Sequence, residues 1–482
     1  MIGSALFLDR EIKPARNIAL LLCFLFCLGF FVQRGPYRAI RYSKAYDFST
    51  LYAAARSWTV GVDPYPAADR KDQLRQAGAP DSLIRQQDVN PCLYLISAMP
   101  LIASIAWLPW PAANVVWSLL SVGTFAASLL IIVNRTRLSP QSKWICCSLS
   151  LLFCPAYVGS LYENPSVLVC SSVALIVFLP ETRYGLIGVL LGIALCIKPQ
   201  IALCAVCALL IWKIWKALFI GAGLSAVCTL IAAGRASTWA QFVVWWHSQQ
   251  ANFAINAMPG GKSDPGPNSS WAFELLNGQT ITALFVQDAH WRDAIVWIFA
   301  AVLLAAYILR RRAGNVDRNR DLVFFAAWTT TVAYHRYYDA QLFLLLWPAL
   351  VELWSQQQRK FAIALGACVC LLAFPSQSLL ARVTDSGGAV HSALDVLFFR
   401  HQPIAILAIA LLALFWWPAA CVNARIVAET KTSAPQPSES PTLSRYGRLL
   451  RLRRIASLRP TSSLSPAARP ATSSHLARNV PG

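Results

Sequence analysis

Apolar stretches long enough to cross a bilayer recur along this chain from near its start to about residue 420, and a helix needs roughly 20 such residues to cover a ~30 Å hydrocarbon layer. That repetition dictates the fold class. Inside lipid every backbone N–H and C=O must be satisfied within its own segment, which leaves helices as the solution for runs of this length. Only 13% of the 482 residues are charged and 56% are hydrophobic, whereas a soluble domain carries about a quarter charged residues. An ordinary soluble enzyme is excluded. The sequence predicts an all-α polytopic membrane protein, with one membrane unit over 1–420 and a polar tail over 421–482.

Hydropathy places spans at 17–32, 91–107, 111–134, 143–160, 164–180, 184–212, 214–233, 293–310, 322–334, 339–354, 361–375 and 402–420, a bundle of about twelve helices. Arg10, Lys13 and Arg16 precede the first span, which has no small-residue cleavage site after it, so it is expected to stay attached with the N-terminus in the cytoplasm. Twelve spans return the C-terminus to the same side. Basic residues in short loops favour the cytoplasm; Lys213, Lys216, Arg310 to Arg312, Arg318, Arg320, Arg359, Lys360 and the tail then fall inside. Arg135, Arg137 and Lys143 fall outside and violate the rule. The run 184–212 is too long for one straight span, and Lys198-Pro199 predicts a kink or a split within it. A multi-pass protein of the plasma (bacterial inner) membrane is the expectation.

The formal net charge of +20 reports this topology, and no nucleic-acid partner is expected. Ten basic and two acidic residues in the Ser- and Pro-rich tail predict disorder, with Arg445 to Arg454 able to meet anionic membrane lipid. Most of the 14 cysteines lie in apolar runs, and Cys204-x-x-Cys207 reads as packing. The outward acidic residues show no metal-ligand spacing.

Three loops face outward in this topology, at about 34–90, 234–292 and 376–401. In the first, Asp47 precedes Phe48, Leu51, Tyr52 and Ala55, whose helical spacing predicts an amphipathic surface helix with Asp47 at its N-cap. The second carries Trp239, Phe242, Trp245 and Trp246, then Gly260-Gly261 and Asn268-Ser269-Ser270, a pattern for an interfacial helix followed by an irregular loop. Three features carry chemistry. Lys198 is an ammonium at membrane depth that must find an anion, snorkel to water, or meet a substrate phosphate. Asp47 is either a helix cap or a reactive carboxylate. His335-Arg336-Tyr337-Tyr338-Asp339 packs an imidazole, a guanidinium, two phenols and a carboxylate into one junction between spans.

The order Asp47-Phe48-x3-Tyr52-Ala53-Ala54 followed by Gly61-x-Asp63-Pro64-Tyr65 resembles the first outward loop of glycosyltransferase family 87. Asn90-Pro91 with Pro100-Leu101, Gly192 to Gln200, Asn268-Ser269-Ser270 and His335 to Asp339 are similar to later pieces of that family, in the same order. Asn90-Pro91-Cys92 departs from the family's double proline, and Glu163-Asn164-Pro165 stands where many relatives carry Gly-Gln. The resemblance implies a GT-C-like membrane fold and a hexosyltransferase that moves mannose from a polyprenyl-phosphate donor to a glycan or lipid acceptor; no cofactor is expected, and the scattered acidic residues predict activity without a divalent ion. It implies Asp47 and His335 as catalytic residues. Lys198 and Arg336 are then candidates for the departing phosphate, and Asn268 and Tyr52 for substrate contacts. Asp339 orients the imidazole or caps the next helix. A transporter or flippase of a lipid-linked sugar is the alternative reading.

Overall fold

The computed structural model describes residues 2–136, 138–266, 269, 271–313, 317–374 and 400–416, with side chains from residue 15 onward apart from that of residue 273. Asn268, almost all of the third outward loop, and the tail lie outside the described residues. Helices dominate, and among the described residues the only β-type pairing is an isolated antiparallel bridge between Leu275 and Arg336.

Four helices are long and apolar enough to cross a membrane alone: Ala15–Arg41, Trp110–Arg135, Trp215–Gly234 and Ala289–Ala313. Pro140–Leu152 and Cys154–Leu161, bent by 49° at Phe153, make a fifth when taken together. The described residues therefore hold four or five such spans rather than the expected twelve, and shorter helices fill the remaining bundle. Ser166–Phe178, Tyr184–Ile197 and Pro199–Ile211 have 13, 14 and 13 residues. At 1.5 Å per residue each is about 20 Å long, short of the hydrocarbon thickness.

Side-chain pairs fix which chain segments share an end of the bundle. At one end Gln141 Nε2 lies 3.5 Å from Asn17 Oδ1, and Arg318 meets both Glu181 and the Trp212 ring. Also at that end Arg311 pairs with Asp321 at 3.0 Å, and Arg310 donates to the Phe415 carbonyl at 3.0 Å. At the opposite end Asp47 N–H donates to the Tyr162 carbonyl at 3.2 Å, and Trp58 Nε1 donates to the Ala232 carbonyl at 3.1 Å.

Two expected spans change character in this frame. The run 91–107 is the nine-residue helix Ala98–Ala106, packed on Tyr46–Thr59, and Trp110 N–H donates to the Ala77 carbonyl at 2.9 Å. It belongs to the assembly at the Asp47 end, because an apolar run this short is satisfied by a protein core. Trp110–Arg135 consequently starts at the Asp47 end, so Arg135 and Lys143 share the end of Asn17; Arg137 lies outside the described residues, and Arg34, Arg38, Arg41 and Lys44 stand at the Asp47 end. The run 184–212 splits at Lys198-Pro199 into two helices whose far ends, Glu181 and Trp212, both reach Arg318. Lys198 is therefore the apex of a re-entrant pair.

The first outward loop also departs from expectation. Tyr46–Thr59 is capped at Ala45, with Asp47 in its first turn, and Phe48, Leu51, Tyr52 and Ala55 are buried together with Ser49, Thr50, Ala53 and Ala54. The short helices Ala67–Gln76, Asp81–Gln86 and Ala98–Ala106 cover it, so it is a core helix of this end of the protein instead of a surface helix. In the second loop Thr238 caps Trp239–Ala257 by accepting from Gln241 N–H, and Trp239 and Trp246 are exposed, as an interfacial helix requires.

Candidate active site

A small set of polar side chains meets where Tyr46–Thr59, the turn after Leu161, the Lys198 apex and the 334–339 segment converge. Asn164 is its centre. Its Nδ2 donates to Asp47 Oδ2 at 2.6 Å, while its Oδ1 accepts from Lys198 Nζ at 2.9 Å and from Ser166 N–H at 2.9 Å. The Ser166 hydroxyl lies between Asn164 Oδ1 and Asp339 Oδ1. Lys198 Nζ completes the group with bonds to Ser166 Oγ at 2.6 Å and Asp339 Oδ1 at 3.3 Å. An ammonium has three protons, and these three oxygens use them all; the Tyr338 ring sits 5.0 Å away. Lys198 is thus paired internally and spends its donors on positioning Asn164 and Asp339.

Asp339 performs both functions that its sequence position left open. Its Oδ2 accepts from Arg336 N–H at 3.0 Å, closing a capping box on the 3-10 helix Tyr337–Leu346, and faces His335 Nδ1 at 3.2 Å. A proton held on Nδ1 leaves Nε2 as the free nitrogen of the neutral ring. His335 is fully buried, and its Nε2 has no hydrogen-bond partner among the described residues. An unpaired buried nitrogen costs roughly 1–3 kcal/mol, a cost that a bound hydroxyl or phosphate oxygen removes.

Asp47 is half-buried, accepts only at Oδ2, and has no ion pair among the described residues. Its other oxygen is available. Arg336 lies on the same side but is paired with Glu274 and stacked on Trp271 and Tyr338, with ring centroids at 5.5 and 5.6 Å. Leu276 N–H donates to the His335 carbonyl at 3.0 Å, so the end of the second outward loop is clamped to the histidine segment. Asn268 belongs to that loop and lies outside the described residues. Tyr52 is placed elsewhere: about 140° round the helix from Asp47, it donates to the Leu108 carbonyl at 2.6 Å and packs on Trp110. Among the described residues no three His, Cys, Asp or Glu side chains form a metal-binding group.

Asn164, Ser166 and Lys262 escaped the sequence reading. Asn164 is an uncharged amide, visible only as a departure from the family pattern. Lys262 donates to Asn90 Oδ1 at 3.0 Å and stacks on Trp271 at 5.4 Å, with no carboxylate bonded to it among the described residues. Burial, then the Arg336 charge, lowers its ammonium to about 8, while Asp47 acts in the other direction. The signal was available, since Lys262 is the only lysine in the 234–292 loop and follows two glycines. Gly260 has φ +80°, and a Cβ on Gly261 would stand 2.4 Å from the Asn256 carbonyl oxygen. Glycine is therefore required where the chain turns Lys262 inward.

The model for Glycosyltransferase family 87 matches residues 93–334, half of the chain. The match contains Asn164, Ser166, Lys198 and Lys262, ends one residue before His335, and excludes Asp47. No curated protein and no solved structure matches the chain.

Proposed function

The chain belongs to glycosyltransferase family 87, and from that premise we propose an inverting transfer of a hexose, mannose by resemblance. The donor is a polyprenyl phosphate sugar, and the acceptor is a glycan or lipid hydroxyl outside the cytoplasm. The observation that carries this reading is Asp47, whose carboxylate is held by Asn164 at one oxygen, free at the other, and joined through Lys198 and Asp339 to His335.

In the proposed step the free oxygen of Asp47 removes the acceptor hydroxyl proton as that oxygen bonds to the anomeric carbon. The bond from this carbon to the phosphate oxygen breaks on the opposite face, and polyprenyl phosphate leaves with the electron pair. A phosphate monoester has a second pKa of about 6, so the leaving group needs no strong acid and a single base suffices. Glycosidases protonate a sugar-type leaving oxygen and therefore use two carboxylates. Lys262 is the cation that offsets charge on the departing phosphate, with Arg336 beside it; fixed cations act strongly in a water-poor site. His335 Nε2 contacts the acceptor hydroxyl or the phosphate, and Lys198 acts through Asn164 and Asp339. Basic residues of the short loops gather at the end opposite this cluster, while Arg34, Arg38, Arg41 and Lys44 stand at the cluster's own end in the long 34–90 loop, so the short-loop balance supports an extracytoplasmic site.

Purified protein incubated with radiolabelled polyprenyl-phosphate hexoses and membrane extract tests the assignment. Asp47→Asn should lower label transfer about 10²–10⁴-fold, the usual contribution of a general base, and His335→Ala should lower it as well. Equal transfer by wild type and both variants would reject these roles.

A further inference from the structure

Glu163 is a buried carboxyl that the transfer step above does not use. It is 3% exposed and sits one residue before Asn164, in the turn between Cys154–Leu161 and Ser166–Phe178. We propose that Glu163 is a positioning residue, whose side chain anchors this turn to Trp110–Arg135 and thereby sets Asn164 against Asp47. The proposal rests on the transfer reading and adds to it a residue outside the reacting groups.

The backbone explains why the turn needs a side-chain anchor. Glu163 N–H donates to the Ser160 carbonyl at 3.3 Å and Asn164 N–H to the Gly159 carbonyl at 2.8 Å, the paired bonds of a Schellman helix end. That motif puts the residue just past the helix in the left-handed region, where glycine is the usual occupant. Here the occupant is glutamate, at φ +49°. A side chain persists in that conformation only where its surroundings fix it, and three neighbours do so. The Ser118 hydroxyl bonds a carboxyl oxygen, Asn114 turns its amide to both, and Trp117 Nε1 donates to the Glu163 carbonyl at 3.1 Å. Asn114, Trp117 and Ser118 are buried on one face of their helix. Burial pushes the Glu163 carboxyl up to about 8, so near neutral pH it carries a proton that the Asn114 carbonyl can accept. Once ionised, it accepts from Asn114 Nδ2 instead, which stands 3.1 Å from one oxygen after the amide turns over. The anchor holds in both states.

The base is registered on the same helix face. Asp47 N–H donates to the Tyr162 carbonyl at 3.2 Å, and the Phe48 ring stacks on Trp117 with centroids 4.6 Å apart and planes at 5°. Glu163 therefore fixes the one remaining link, the reach of Asn164 Nδ2 to Asp47 Oδ2 at 2.6 Å. If the turn swings away, Oδ2 is released, the carboxylate rotates, and the oxygen that takes the acceptor proton loses its aim. Misplacement of a reacting group lowers the rate of the chemical step, while substrate binding is untouched.

Glu163→Gly tests this, because glycine suits the backbone and removes only the anchor. In label transfer by the full-length protein, kcat should fall about tenfold with donor and acceptor KM unaltered. Glu163→Gln, which keeps both polar atoms of the side chain, should stay within about twofold of wild type. Asn164→Ala should also lower kcat, and Glu163→Gly should add nothing on that background, as action through Asn164 requires. A cryo-EM structure of Glu163→Gly should show Asn164 out of hydrogen-bond reach of Asp47. Full kcat in Glu163→Gly, an equal loss in Glu163→Gln, losses that add to that of Asn164→Ala, or an intact Asn164–Asp47 bond in Glu163→Gly would each overturn the proposal. Failure of the transfer reading looks different: wild type then moves no label from any polyprenyl-phosphate hexose, while the Asn164–Asp47 bond still parts in Glu163→Gly.

Discussion

Lys262 and Glu163 illustrate how single side chains set the pH behaviour of this site. Lys262 is charged below about 8 and neutral above it, against 10.5 for an ordinary lysine. If its charge offsets the departing phosphate, transfer falls as pH rises through about 8. Lys262→Arg, which stays protonated, should lower the rate several-fold yet hold it level from pH 8 to 10; an unchanged alkaline limb in the rate profile would remove Lys262 from the mechanism. Glu163 is buried in the turn before Asn164, facing Ser118 and Asn114 on Trp110–Arg135. Burial pushes its carboxyl from 4.5 up to about 8. The folded protein holds that proton while the unfolded chain releases it, so the contribution of Glu163 to stability is fully present below pH 4.5 and is lost as pH rises toward 8. Glu163→Gln should flatten this fall in melting temperature between pH 5 and 8, and a parallel profile would count against a neutral Glu163. The same residue holds φ +49°, a conformation glycine adopts freely. Asp47, Lys198, His335 and Asp339 were legible in the sequence because ionisable groups stand out against an apolar background. Asn164 and Ser166 were not, because amides and hydroxyls cap and turn helices everywhere and only the fold shows which one bridges two charged groups.

Elements hold these residues in place through close packing of small side chains. Tyr184–Ile197 lies parallel to Trp215–Gly234, and a Cβ on Gly188 would stand 2.6 Å from Ile220 Cβ, while one on Gly192 would stand 2.7 Å from Leu224 Cβ. The four-residue spacing of the two glycines is the small-residue seam that lets helices approach in membranes. Gly192→Leu should force the pair apart, cost about 1–3 kcal/mol or more as overpacking does, and lower transfer by displacing Lys198 at the end of the same helix. Thermal melting and label transfer read both effects, and retention of both would mean that the seam does not position the apex. The Lys198-Pro199 break was legible, since proline cannot donate to the preceding turn and an ammonium cannot rest in lipid. The reversal of direction was not, because hydropathy carries no sign of direction. For the same reason 91–107 read as a span: a short core helix and part of a crossing helix have equal apolar content, and only its packing on Tyr46–Thr59 separates them.

At the scale of the whole molecule, the two corrected elements change the account of the charges. Dropping 91–107 as a crossing moves Arg135 and Lys143 to the end of Asn17, and folding 184–212 back on itself keeps Lys213 and Lys216 at that end too. Short loops with Arg310 to Arg312, Arg318 and Arg320 join them, whereas Asp47, Lys198 and His335 meet at the other end. If basic residues in short loops stay cytoplasmic, the cluster faces outward, as the proposed transfer from an outer-leaflet donor requires. A membrane-impermeant maleimide separates the ends directly. Asp72, exposed on Ala67–Gln76, and Thr182, exposed in the Glu181–Arg183 turn, mark the two sides. Asp72→Cys should add label in spheroplasts and Thr182→Cys only in inverted vesicles, each read as the increase over the parent chain with its own cysteines. The reverse pattern would put the cluster in the cytoplasm and end the extracytoplasmic reading, and labelling of both from one side would break the assignment of ends on which the re-entrant Lys198 pair depends.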